Sequence, residues 1–357
     1  MERALELPHG VSFARPFTTL ADLTGYITRD GDYYFAHGGF ADVWKGTWLK
    51  DTVKYKVAIK VVRTTNESDK GCEKMYKRLN KEIMVWQKLD HENIIPLLGI
   101  TFDFGRGSPM GMVCPWLENG NLNGYLDRCG TALTLRERFR ILSEIAAGLS
   151  YLHSCGVVHG DLSGSNVLLD SEGKAFLADF GLSNIVAEAC GPSYVTSSIG
   201  GSIRWAAPEY FRISAGSSVS TVTTHGDIYS YGSVMLQVLS GQLPYHQLKR
   251  DTEVLFELDK GVRPPRPPQL ANEHWALICL CWMEQPSARP HARDIFEIVQ
   301  HHHLALSVTA DCQIVHSIPP SVESVLAENG SIGCSATPSS LTLISAFLTI
   351  ILSHIIP

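Results

Sequence analysis

Residues 157–170, VVHGDLSGSNVLLD, set Asp161 and Asn166 five positions apart between two short apolar runs, with glycine and serine but no positive charge between them. Upstream, residues 134–154 (TLRERFRILSEIAAGLSYLHS) form a long amphipathic segment, so the loop is entered from a helix. Downstream, LADFGLS at 177–183 ends a strand with Asp179, followed by Phe180 and Gly181. An acidic residue at a strand end before a flexible glycine is one way to present a carboxylate to a cation. A plain turn is the competing reading.

The chain changes character on either side of this loop. From Asp32 to about Phe104 it runs in short β-rich stretches (YYFA, ADVWKGTWL, KVAIKVV, GITFDF) with one helical segment, CEKMYKRLNKEIMVWQKL, between them. That pattern predicts a small sheet with one helix packed on it. From Gly120 onward the segments are longer and amphipathic (DIYSYGSVMLQVLSG, HWALICLCWMEQ, RDIFEIVQHHHL), which predicts a mainly helical region. Between Phe180 and Trp205 lies a stretch rich in Gly and Ser, too long for an ordinary connection and so marked as functional. Residues 305–340 lose periodicity and gain Ser, Pro and Gly, as a linker or low-order tail does. The apolar LTLISAFLTIILSHII at 341–356 is sixteen residues long, short of the ~20 that a typical membrane span needs. Membrane contact through it is an alternative to a sticky tail.

At 357 residues the chain has ample material for a real core. Its net charge of -6, with charged residues at 18%, leaves no basic stripe, which excludes nucleic acid as the expected partner. Nine cysteines, an odd number and widely spaced, suit a reducing compartment. The start, MERALELPHGVSFARP, carries charges and a proline where a secretory signal has its apolar run, so a cytoplasmic location is expected.

Two charges stand where the periodicity calls for apolar side chains. In KVAIKVV, Val57, Ile59 and Val61 share one face, and Lys60 shares the other with Ala58 and Val62. In the following helix Met75, Leu79, Glu82 and Trp86 recur at spacings of three and four, which sets Glu82 on the apolar stripe. Each has a bland reading, a snorkelling lysine and a solvated glutamate. Opposite charges on two elements that pack together favour a buried pair. The glycines of AHGGFADVWKG, Gly38 and Gly39, let backbone N–H groups approach a phosphate, as many plain hairpins also do. The histidines of QHHHL read as solvated helix-end residues, Cys279 and Cys281 lack the second pair of a zinc site, and Trp205 and Trp282 read as core.

Taken in order, a glycine-containing hairpin, VAIK, a helix glutamate, HGDLSGSN, DFG and AAPE resemble the protein kinase family. LDHENIIPLLGI, GGFADVWKG and GSIRWAAPEYF look most like its tyrosine-kinase-like group, especially the fungal-type serine/threonine kinases. The resemblance implies an α+β, bilobal kinase fold over residues 28–304. Residues 28–117 would form an N-lobe of antiparallel sheet with one main helix, and 118–304 a larger, mainly helical C-lobe. Residues 1–27 would be an N-terminal extension and 305–357 a low-order tail. It further implies ATP and Mg2+ as cofactors and a protein as substrate. Lys60 would hold the α and β phosphates with Glu82 fixing its direction, Asp179 and Asn166 would bind magnesium, and Asp161 would orient the acceptor hydroxyl and take its proton. Val43 and Ala58 would cover the adenine and Leu168 underlie it. Cys114 would be the gatekeeper, with the backbone of Pro115 and Leu117 reaching the base. Glu209 would pair with Arg289, and Asp227 would hold the catalytic loop from beneath. Asp161 and Asn166 would thus face one site from a single tight loop.

The chain departs from the family in three places. Ala36, Gly38 and Ala41 occupy the positions of three loop glycines, so only the middle one survives. Gly160 replaces the arginine that pairs with a phosphorylated activation segment, so the acceptors in SYVTSSIGGS lack that partner. Ser163 and Ser165 stand where serine/threonine and tyrosine kinases respectively place a cation, while Ser202 matches the serine/threonine pattern. An active kinase acting on Ser or Thr, with Tyr as the lesser option, is the main expectation. A pseudokinase used as a nucleotide-binding or scaffolding module is the alternative.

Overall fold

A computed structural model describes residues 20–37, 41–62, 79–80, 83–105, 110–180, 202–211 and 222–315, with side chains through 307 in the last segment. The expectations placed on Gly38, Gly39, Glu82, the acceptors at 193–198 and the apolar segment at 341–356 fall outside the described residues.

Strands β3 (Ala41–Lys50) and β4 (Val53–Val62) form the longest hairpin, paired from Ala41↔Val62 to Lys50↔Val53. Its two-residue turn has Asp51 at φ 46° and Thr52 at φ 72°, the left-handed pair that matches the twist of the strands it joins. Around the hairpin, β1 (Ile27–Arg29), β2 (Ala36–His37), β5 (Gly99–Thr101) and β6 (Gly111–Pro115) complete an antiparallel sheet in the order β1-β3-β4-β6-β5, with β2 on β3. The period-2 reading of β4 holds: Val57, Ile59 and Val61 are buried with Leu23, Ile27, Phe104 and Val113, while Ala58, Lys60 and Val62 are half-buried on the opposite face. Leu79 and Ile83 pack beneath the sheet with Leu97, Met110 and Met112.

Strand β7 (Gly120–Asn121) pairs with β8 (Val167–Leu169), and β8 with β9 (Ala175–Leu177), in a small second sheet. Helix α1 (Leu122–Cys129) follows β7 directly. Helix α2 (Leu135–Ser154) begins at a capping box, in which the Glu137 amide donates to Thr134 Oγ1 at 3.2 Å and the Thr134 amide to Glu137 Oε2 at 2.7 Å. Helix α3 (Thr224–Ser240) is buried along Gly226–Val238 and so forms the axis of the helical lobe. Around it lie α4 (Asp251–Asp259), α5 (Asn272–Cys281) and α6 (Ala292–Val315), and one core runs from Ile94 through α2, β8, β9 and α3 to Val299.

Several element boundaries differ from expectation. Of YYFA only Ala36 is strand, in β2 with His37, and Tyr33 and Phe35 are exposed before it. Of GITFDF only Gly99–Thr101 is strand. Helix α5 stops at Cys281 because Trp282 turns into the core, its Nε1 donating to Tyr229 O and Ser233 Oγ at 3.2 Å each. Helix α6 runs on to Val315, past the loss of periodicity expected at 305.

Candidate active site

The loop between α2 and β8 is fixed from below by one carboxylate. Asp227, in the first turn of α3 and 1% exposed, accepts from the His159 and Gly160 amides at 2.8 Å each and lies 2.8 Å from His153 Nε2. The expectation for Asp227 is met, and His153 joins it. Gly160 has φ 79°, a conformation that costs a side-chain-bearing residue roughly 1–2 kcal/mol. The Asp161 amide donates to His159 Nδ1 at 3.3 Å, which puts the imidazole proton on Nε2. Full burial holds the His159 pKa below its ordinary value, so the ring stays neutral, and Nε2 has no partner among the described residues.

Above this base the functional side chains converge. Asn166 Nδ2 donates to Asp161 O at 2.7 Å and to Asp161 Oδ2 at 2.9 Å, and Ser202 Oγ donates to Asp161 Oδ1. Burial pushes the Asp161 carboxyl up to about 6, against the Ser202 and Asn166 hydrogen bonds that favour the anion; Asp179 raises it further and Lys60 lowers it. The pairing Val167↔Leu177 sets the ends of β8 and β9 side by side, and the Ala178 amide donates to Asn166 O at 2.9 Å. Asp179 therefore leaves its strand beside Asn166. It does so at φ 61°, which costs roughly 1–3 kcal/mol and turns the chain sharply. Phe180 then buries against Trp86 and His159, with ring centroids 5.5 and 6.3 Å apart.

Lys60 closes the group from the sheet. Its register opposite Val43 and Met112 places it on the half-buried face of β4, and Nζ lies 2.6 Å from Asp179 Oδ1. The misplaced lysine of the strand thus meets Asp179. Ala58 lies opposite Cys114, Leu168 is half-buried opposite Phe176 on the facing sheet, and Pro115 ends β6 opposite Val57. Burial raises the Cys114 thiol well above its ordinary range, so it remains a neutral, apolar lining group. The Trp116 amide donates to Lys56 O at 3.1 Å, and Leu117 O accepts from Gly120 at 3.1 Å. Sequence reasoning missed Trp116, which takes the Phe35 ring edge-on at 4.8 Å and the Lys45 ammonium at 4.5 Å. A lone aromatic after a proline gives no signal of such a cluster.

Two supports lie further from the cleft. Arg289, with its side chain fully buried, binds Glu209 through both nitrogens at 2.6 and 2.9 Å, as expected. Ser163 is also fully buried and its Oγ has no partner among the described residues, so this position offers no cation to the cleft. Together, a lysine–carboxylate pair, a second carboxylate with its amide partner, and the apolar Ala58, Cys114 and Leu168 form a site whose residue types suit an anionic, planar-ended ligand beside a base.

The model of the protein tyrosine and serine/threonine kinase family matches residues 33–299. Ephrin type-A receptor 5 of Rattus norvegicus is 30% identical over 265 residues, which is 74% of this chain and 25% of the receptor. A probable serine/threonine-protein kinase of Dictyostelium discoideum is 31% identical over 281 residues, 77% of this chain and 52% of that protein. Tyrosine-protein kinase Srms of Homo sapiens is 31% identical over 255 residues, 71% of this chain and 48% of that protein. The chain thus spans from a quarter to about half of the length of these relatives. The matched span encloses every residue of the cleft from Val43 to Asp179 and the Glu209–Arg289 support, so the chain belongs to the protein tyrosine and serine/threonine kinase family.

Proposed function

We propose that this chain is an active protein kinase that transfers the γ-phosphate of ATP to Ser or Thr hydroxyls of a protein, with residues 28–304 as the catalytic unit. The observation that carries the reading is that Lys60, from the sheet, comes within 2.6 Å of Asp179, which lies on the facing side beside the Asp161–Asn166 pair. Phosphoryl transfer asks for positioning and charge stabilisation more than covalent help, and these residue types supply both. The donor set fits magnesium: Asp179 offers a carboxylate, and Asn166 spends its amide nitrogen on Asp161, leaving Oδ1 as a hard oxygen donor. Bound there, Mg2+ supplies neutralisation of the phosphate charge. Lys60 holds the phosphates, with Glu82 as the proposed directing group. Val43, Ala58, Leu168 and Cys114 enclose the adenine, Pro115 and Leu117 meet its edge, and Gly38 and Gly39 cover the phosphates. Asp161 orients the acceptor hydroxyl and accepts its proton at Oδ1 or Oδ2. Ser202, bonded to Asp161, supports a Ser/Thr acceptor. A cytoplasmic setting, which the odd number and wide spacing of the cysteines suit, belongs to the same proposal. Among the described residues no helix is long and apolar enough to cross a membrane.

The pseudokinase reading draws on one specific observation, the buried and unpartnered Ser163 where a cation is expected. Transfer of labelled phosphate from ATP with magnesium to a generic protein substrate, beside an Asp161→Asn control, separates the two. An active kinase transfers phosphate and loses it in the control. Equal signals from two folded proteins would establish the pseudokinase.

A further inference from the structure

A closed ring of hydrogen bonds surrounds the loop that carries Asp161. Ser202 Oγ donates to Asp161, and the Trp205 amide donates to Ser202 O at 2.9 Å. Trp205 Nε1 donates to Gln237 Oε1 at 3.0 Å, Gln237 Nε2 to Asn123 Oδ1 at 2.7 Å, and Asn123 Nδ2 to Ser165 Oγ at 3.0 Å. Asn166, next in the chain, returns the ring to Asp161. The polarity is fixed at one point. An indole can only donate, so Gln237 must turn its oxygen to Trp205 and its nitrogen to Asn123, and Asn123 must then turn its nitrogen to Ser165.

The polar residue at the centre is out of character with its surroundings. Gln237 is 2% exposed and its chain neighbours on α3, Met235, Leu236 and Val238, are buried and apolar. A buried carboxamide is tolerated where both ends are paired, and a fully paired network fixes one arrangement of the chains it joins. Gly164 shows how closely the loop rests on the pair. Its carbonyl accepts from the Asn123 amide at 3.3 Å, and a Cβ there would collide with Asn123 Oδ1 and lie 2.7 Å from Gln237 Oε1.

We propose that Gln237 and Asn123 are positioning residues, an amide pair that holds the loop 161–166 in register with residues 202–205 and so aims the Asp161 carboxylate at the acceptor hydroxyl. The role in catalysis rests on the kinase reading above; the coupling of the pair to Asp161 does not. Gln237→Leu removes both amide bonds at nearly constant volume. Asn123→Asp keeps an acceptor for Gln237 Nε2 and an oxygen that takes the Ser165 hydroxyl proton, so it preserves the ring.

The test is made on the full chain, with folding of each variant checked by thermal melting. It combines steady-state kinetics with hydrogen–deuterium exchange of the loop 161–166 and of residues 202–205, read by mass spectrometry on protein free of nucleotide and metal. Gln237→Leu is expected to lower kcat about tenfold with KM for ATP held within about twofold. Its loop 161–166 and residues 202–205 exchange about tenfold faster, because the bonds that tie the two segments through Gln237 are lost. Asn123→Asp recovers most of the rate and the wild-type protection. If Gln237→Leu does not fold, Asn123→Leu breaks the same ring at a partly exposed position. A loop protected as in wild type in the folded, ring-broken variant overturns the proposal whatever its rate. Exchange is independent of turnover, so a wild type that transfers no more phosphate than Asp161→Asn overturns the kinase reading while the ring is still decided.

Discussion

At the scale of single residues, Asp161 is held between opposing demands. Burial disfavours its anion, while Ser202 and Asn166 each donate to it, and the balance leaves the carboxyl at about 6. A proton acceptor works only when ionised, so kcat/KM should fall about tenfold for each pH unit below about 6 and level off above it. A pH–rate profile between about pH 4.5 and 8 checks this, and a rate that is flat across the whole range would show that no such carboxyl limits transfer. The sign for stability is the reverse of that for activity. The folded value lies above the unfolded one, so Asp161 favours the folded state fully below the usual carboxylate range and loses that contribution as pH rises through about 6. Asp161→Asn is accordingly expected to melt higher than wild type at neutral pH while losing transfer. A residue that weakens the fold and is kept at the centre of a paired network is what a functional site looks like energetically.

At the scale of elements, the helical lobe depends on close approach around α3. A Cβ at Gly232 would come within 2.7 Å of Cys281 Cβ and 3.0 Å of Trp282 Nε1, both fully buried. Neither neighbour can yield without moving the end of α5 or breaking the Trp282 bonds to Tyr229 O and Ser233 Oγ. Gly232→Ala is therefore expected to cost about 1–3 kcal/mol, as overpacking does, against a helix-propensity gain of under about 1 kcal/mol. Urea denaturation of the two proteins measures the difference, and a more stable variant would mean that α3 and α5 are not this close. The sequence announces α2 through Thr134, Glu137 and the apolar spacing that follows, because cap and period are local signals. Strand β4 is equally legible, and so is the anomaly of Lys60 upon it. What local signals cannot give is long-range pairing. Gln237 and Asn123 lie 114 positions apart, and nothing near either one marks it. Trp282 reads correctly as core, but the indole bonds that end α5 at Cys281 arise from a contact made 49 and 53 residues away.

At the scale of the whole molecule, the candidate site is where the two lobes meet. Backbone bonds from Leu177 to Asn93 O at 2.8 Å and from Ile95 to Leu177 O at 3.0 Å tie the segment before β5 to β9. Lys60 and Asp179 add an ion pair, and their side chains are 19% and 35% exposed. At that exposure water screens the attraction, so the pair by itself contributes little to holding the lobes together. A polyanion bridging Lys60 on one lobe and Asn166 and Asp179, through magnesium, on the other would join them far more strongly. A ligand that binds only the folded chain at 100 times its Kd stabilises it by about 2.7 kcal/mol, which raises Tm by several degrees for a domain of this size. Wild type is thus expected to melt higher with Mg-ATP than without, and Lys60→Met to show a much smaller rise from its own baseline. The measurement reads nucleotide binding apart from transfer. A rise in wild type without transfer describes a nucleotide-binding pseudokinase. No rise at millimolar Mg-ATP would remove the nucleotide from the cleft, and with it the reason for Lys60 to stand among apolar neighbours on β4.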